Sequence, residues 1–167
     1  MRAKPRGGVT TVPANGSAGT DFAVPKKCKP ARRCTAAKRS YRGRMFPLPS
    51  RNVLGGPRKP CSLAPVTGLF RNGHCDTCAE DEGCHTVCVE VSAEFLEFSR
   101  ADGNDLSTPR PEYGFPGLKP GDRWCLCATR WLAALEANQA APVSLAATHE
   151  RTLEVIPLEL LQQHATA

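Results

Sequence analysis

The chain of 167 residues contains no run of about 18 or more apolar residues, which excludes a membrane-spanning helix on length. Its beginning lacks the shorter apolar run of a secretory signal. A Gly-rich phosphate loop and a serine nucleophile elbow are also missing, so neither chemistry is read here. Acidic residues are nearly absent from one end: residues 1–60 hold 15 Lys or Arg against one acid, Asp21, whereas residues 61–167 hold 7 against 15. The net charge of +6 is the average of two unlike pieces.

The first piece, 1–51, has little apolar periodicity and is rich in Pro, Gly, Ser, Thr and Ala. It cannot bury enough surface to offset its ordering entropy and is expected to be a disordered basic leader. A basic, hydroxyl-bearing, acid-poor beginning is the composition of an organelle transit peptide. Plastid or mitochondrion is therefore the expected location, or the cytoplasm if the leader is not a transit peptide. The spaced pairs Lys26-Lys27, Arg32-Arg33 and Lys38-Arg39 would suit a nucleic-acid arm, but no aromatic residue is interleaved with them before Tyr41, which disfavours that partner. The remainder divides into one folded domain, 52–164, and a short tail, 165–167.

What the domain does contain is punctuation. Between 102 and 122 stand Pro109, Pro111, Pro116 and Pro120 with Gly103, Gly114, Gly117 and Gly121, so no helix or central strand can run through. A long ordered loop is expected, anchored by Leu106, Tyr113, Phe115 and Leu118, and loops of that length are usually functional when ordered. Lys119-Pro120-Gly121-Asp122 fits a type II turn, after which 124–128 reads as a strand buried on both sides, with Cys125 and Cys127 on one face. Thr129 suits an N-cap for a helix carrying Trp131, Leu132 and Leu135.

Upstream, Asn72-Gly73 marks a turn, 85–92 alternates as a half-buried strand, and Ser92 caps a helix that ends before Gly103. Downstream, 143–147 and 153–156 read as strands around a polar turn, and Pro157 opens a last helix to His164. Short strands between short helices without a βαβ repeat give a single small α+β domain.

Several uncommon runs occur in one order: Asn52-Val-Leu-Gly-Gly-Pro57, Pro65-x-Thr-Gly68, His85-Thr-Val-Cys88, Glu94-Phe-Leu-Glu-Phe-Ser99, Gly103-Asn-Asp-Leu-Ser-Thr-Pro109, Phe115-Pro-Gly-Leu-Lys-Pro-Gly-Asp122, Trp124-Cys-Leu-Cys-Ala128 and Ala147-Thr-His149. Together they resemble the domain of unknown function 2237 family, found mainly in bacteria and also in plants and algae. The resemblance covers roughly 52–164. It implies a small cytosolic-type domain and no assigned activity. It also implies that Cys61, Cys75, Cys88, Cys125 and Cys127 stand at family cysteine positions, whereas Cys78 and Cys84 do not, which makes the apparent Cys75-x-x-Cys78 motif accidental.

Three functional readings follow. In the first, His85, Cys88, Cys125 and Cys127, with Cys75 nearby, form a site for zinc or another soft metal. In the second, Cys88, Cys125 or Cys127 is a nucleophile activated by His85 or His149. Asp105, Thr108, Arg110, Glu112 and Arg123 at the loop would then bind a small anionic substrate, since guanidinium groups pair with carboxylate and phosphate. In the third, the cysteines are core residues of a structural or protein-interaction domain. Disulfides are the weakest expectation: nine cysteines is an odd number, and cytosol or organelle matrix keeps thiols reduced.

Overall fold

The computed structural model describes residues 50–78 and 81–166; the expected leader lies outside them except for its last two residues. The architecture is α+β, with one two-stranded antiparallel sheet and three α-helices among the described residues. In chain order these are β1 (Val87–Glu90), α1 (Ala93–Ala101), β2 (Arg123–Leu126), α2 (Ala128–Glu136) and α3 (Leu158–Gln163).

The register of the sheet divides the molecule into two cores. Val87 pairs with Leu126, Cys88 with Cys125, Val89 with Trp124, and Glu90 with Arg123. Because side chains alternate across a strand, Val87, Val89 and Leu126 join the large apolar core with Phe95, Leu96, Trp131, Leu132, Val143, Ile156 and Leu161. Cys88 and Cys125 turn the other way, into a second cluster with Cys61, Cys75 and Ala147. The strand expected to be half-buried is thus shorter and covered on both faces. The last pair lies at the surface as an exposed Arg123–Glu90 ion pair at 3.4 Å, and Trp124 next to it is half-buried.

Local chemistry sets the element ends. The Ser92 hydroxyl accepts the Phe95 N–H at 3.1 Å, an N-cap as expected. The 119–122 turn closes with the Asp122 N–H donating to the Lys119 carbonyl at 3.0 Å, while Gly121 takes φ +92°. α2 begins two residues earlier than the Thr129 cap predicts, with Cys127 at the N-cap. The cause is the Ala128 N–H, which is drawn to the Cys84 carbonyl at 3.0 Å.

Two other expectations fail. The 153–156 strand is replaced by a 3-10 helix over Glu150–Glu154, started by His149, whose Nδ1 accepts the Arg151 N–H at 2.9 Å. The 143–147 strand is reduced to isolated bridges of Val143 with Val89 and Ala165. In the proline-rich segment Phe115 and Leu118 are buried, but Tyr113 is 71% exposed and anchors nothing.

Trp131 is fully buried and its indole N–H donates to the Ala141 carbonyl at 2.9 Å, joining α2 to the segment that leads into Val143. Trp131→Ala is expected to lower stability by about 3–5 kcal/mol through cavity formation and an orphaned carbonyl. Urea unfolding with the disulfides intact checks this.

Candidate functional site

The cysteines sort into two kinds. Cys61 is bonded to Cys88, with Cα atoms 5.7 Å apart, and Cys75 to Cys125, with Cα atoms 5.2 Å apart. The expectation against disulfides is therefore overturned. An odd total does not prevent pairing, and the fold brings two loop cysteines onto two strand cysteines at disulfide separation. Hydroxyl groups fix the strand positions: the Cys88 N–H donates to Thr148 Oγ1 at 3.1 Å and the Cys125 N–H to Thr67 Oγ1 at 2.8 Å. The Sγ atoms of Cys61, Cys75 and Cys125 lie within 4.8 Å of one another, a donor set of the kind that holds a soft metal.

Cys127 forms no disulfide. One residue beyond the end of β2, its side chain leaves the cysteine cluster and meets His85 instead. The tie between Ala128 and the Cys84 carbonyl brings the two residues together. A Cβ built on Gly83 would stand 2.6 Å from His85 Cε1 and 3.1 Å from Cys127 Sγ, so glycine is what lets the turn pass beside this contact.

The other edge of the imidazole is held by a buried carboxylate. His85 Nδ1 lies 2.7 Å from Asp81 Oδ1, and the His85 N–H donates to Asp81 Oδ2 at 2.9 Å. The Thr77 hydroxyl also donates to Oδ2 at 2.9 Å. Burial alone would raise the Asp81 carboxyl, but its hydrogen bonds and the His85 charge outweigh that and hold it below the ordinary range. His85 is pushed up to about 10, chiefly by Asp81 and then by Cys127, against the opposing effect of burial.

A cleft of about 240 Å³ opens beside the imidazole, lined by Gly68, Leu69, Arg71, His85, Trp124 and Cys125. Its cation is Arg71, whose guanidinium lies 5.5 Å from the Trp124 ring centroid and donates to the Val66 carbonyl at 3.3 Å.

A scan against protein families matches residues 51–165 to the family described as "uncharacterized protein conserved in bacteria (DUF2237)". The chain belongs to this family. A search of curated proteins found no match for this DUF2237 chain.

The four residues His85, Cys88, Cys125 and Cys127 are divided by the fold: Cys88 and Cys125 lie in the disulfide cluster, His85 and Cys127 in the contact with Asp81. The remaining sequence-predicted residues lie elsewhere. Asp105 accepts from the Ser107 and Thr108 N–H groups and from the Thr108 hydroxyl, and these bonds, the Thr108 hydroxyl foremost, lower it to about 2. Arg110 bridges Phe115, and Glu112 belongs to a 3-10 turn. Arg123 pairs with Glu90. Sequence reasoning missed Asp81 and Arg71. A carboxylate four residues before a histidine, with Gly83 between them, was the available signal for the first; nothing singled out the second.

His149 is 5% exposed and stays neutral, lowered to about 4 by burial and then by the nearby Arg58 charge. In the unfolded chain it titrates near 6.5, so between about 6.5 and 4 the unfolded state binds more protons than the folded one. Stability is expected to fall with decreasing pH across that window, by up to about 1.4 kcal/mol per pH unit from this group. His149→Asn, whose carbonyl can accept the same Arg151 N–H, should flatten the slope in urea titrations from pH 7 to 4.

Proposed function

We propose that this protein is a thiol-dependent enzyme acting on a small anionic acyl compound, with Cys127 as nucleophile and His85 as its acid–base partner. Asp81 is a positioning residue that fixes the imidazole. The alignment of a buried carboxylate, an imidazole and a thiol carries the reading, because a nucleophile within reach of a base that a third group orients is the general arrangement of covalent catalysis. Cys127 stands at the N-cap of α2, beside the positive end of the helix. Arg71 supplies the charge that pairs with a substrate carboxylate or phosphate.

In this scheme Cys127 attacks as the thiolate beside the protonated His85, its sulfur bonding to the carbonyl carbon. His85 then gives its proton to the departing group. Water cleaves the thioester, its hydroxyl going to the acyl carbon and its proton to His85, which restores the starting pair.

In the full chain without reductant, iodoacetamide should label Cys127 first. His85→Ala and Asp81→Asn should each slow that labelling by about tenfold or more. Iodoacetate should gain over iodoacetamide through Arg71, and Arg71→Ala should remove the gain. Peptide mapping that finds Cys127 no faster than a cysteine in the unfolded chain, or indifferent to His85→Ala, contradicts the proposal.

A further inference from the structure

The disulfide cluster has the composition and shape of a second site, independent of Cys127. Its four cysteines come from four separate places: Cys61 and Cys75 in loops, Cys88 in β1 and Cys125 in β2. All four are buried, at 5% exposure or less. Three of the sulfur atoms already lie within 4.8 Å of one another, and the fourth, on Cys88, is bonded to one of them. A tetrahedral zinc site with Zn–S bonds of about 2.3 Å sets its sulfur atoms about 3.8 Å apart, a scale this cluster matches.

The surroundings favour thiolate ligation over any competing donor. Ala147 is the remaining member of the cluster, and it offers no side-chain ligand. The backbones of the two strand cysteines are fixed by Thr148 and Thr67 independently of the sulfur atoms. The loop that carries Cys75 is held by the buried Asp76, which pairs with Arg58 and accepts from Asn72 at 2.7 Å. Cys61 is joined to the same loop by its N–H, which donates to the Gly73 carbonyl at 2.8 Å. None of these restraints involves the S–S bonds, so they continue to hold the four cysteines together when the bonds open. Cys125 also lines the cleft, which gives a reductant and then a metal ion a way in.

We propose that Cys61, Cys75, Cys88 and Cys125 form a tetrathiolate site for a zinc-class divalent cation when both disulfides are reduced. Reduction takes two electrons and two protons per disulfide from a dithiol, which leaves as its own disulfide. The four thiols then lose four protons as they bind one cation. The oxidised and metal-bound forms are alternative closures of one cluster, and Cys127 takes part in neither.

The test uses the full chain, reduced by a dithiol, freed of it without oxygen, and titrated with cobalt(II), which reports tetrahedral thiolate ligation by its absorption. One equivalent should give the sulfur-to-cobalt charge-transfer band of four thiolates, and zinc should abolish it. Serine at Cys61, Cys75, Cys88 or Cys125 should weaken binding by about tenfold or more, while Cys127→Ser and His85→Ala should leave it unchanged. Because the serine variants also lose a disulfide, the unmutated reduced chain gives a second readout. Zinc should protect those four thiols from alkylation, leave Cys127 reactive, and restore the near-ultraviolet circular dichroism if reduction has diminished it. No tetrahedral cobalt spectrum, a spectrum lost in Cys127→Ser but kept in Cys125→Ser, or no protection by zinc overturns the proposal. The cobalt spectrum and the protection of the four cluster thiols are read independently of whether Cys127 acts as a nucleophile.

Discussion

Cys88 and Cys125 join the short sheet to the segment that covers it. They face each other across a sheet only four residues long, and an isolated two-stranded sheet of that length is marginal in water. Each bonds outward, to Cys61 and to Cys75. The cross-links span 27 and 50 residues, and restricting the unfolded chain over such loops contributes roughly 3–4 kcal/mol apiece in the chain-entropy account. They fasten the 61–76 segment over one face of the sheet while the helices cover the other.

That fastening creates the second environment. With Cys125 committed to Cys75, β2 ends at Leu126 and the chain turns into α2 at Cys127, where the Cys84 carbonyl takes the Ala128 N–H. The same turn carries Asp81 and His85, so the carboxylate, imidazole and thiol meet because one hydrogen bond joins the start of a helix to the approach of a strand. The fastened segment also contributes Gly68, Leu69 and Arg71 to the cleft beside His85. Cross-linking and chemistry are neighbours in sequence, two residues apart at Cys125 and Cys127, yet they face different partners.

The sequence made several elements legible and concealed the relation between them. Ser92, the Pro120-Gly121 turn and Pro157 are local signals, and each ends or starts an element where expected. The 153–156 segment was misread because His149 acts as a cap from a buried position, and burial is not visible in a local pattern. The candidate site suffered most. Alternation placed Cys125 and Cys127 on one face, which holds only while the strand continues, and the strand stops between them because of a long-range bond to Cys84. His85 was identifiable as a ligand-type residue, but its partners were not, since Asp81 matters through a buried turn and Arg71 through a loop that tertiary cross-links put in place.

The most direct test of this account is a peptide map by mass spectrometry of the full chain, purified and digested without reductant at a pH that prevents thiol exchange. Linked peptides joining Cys61 to Cys88 and Cys75 to Cys125 are expected, with Cys127 recovered as a thiol. A Cys88–Cys125 cross-link, or Cys127 found in a disulfide, would contradict it.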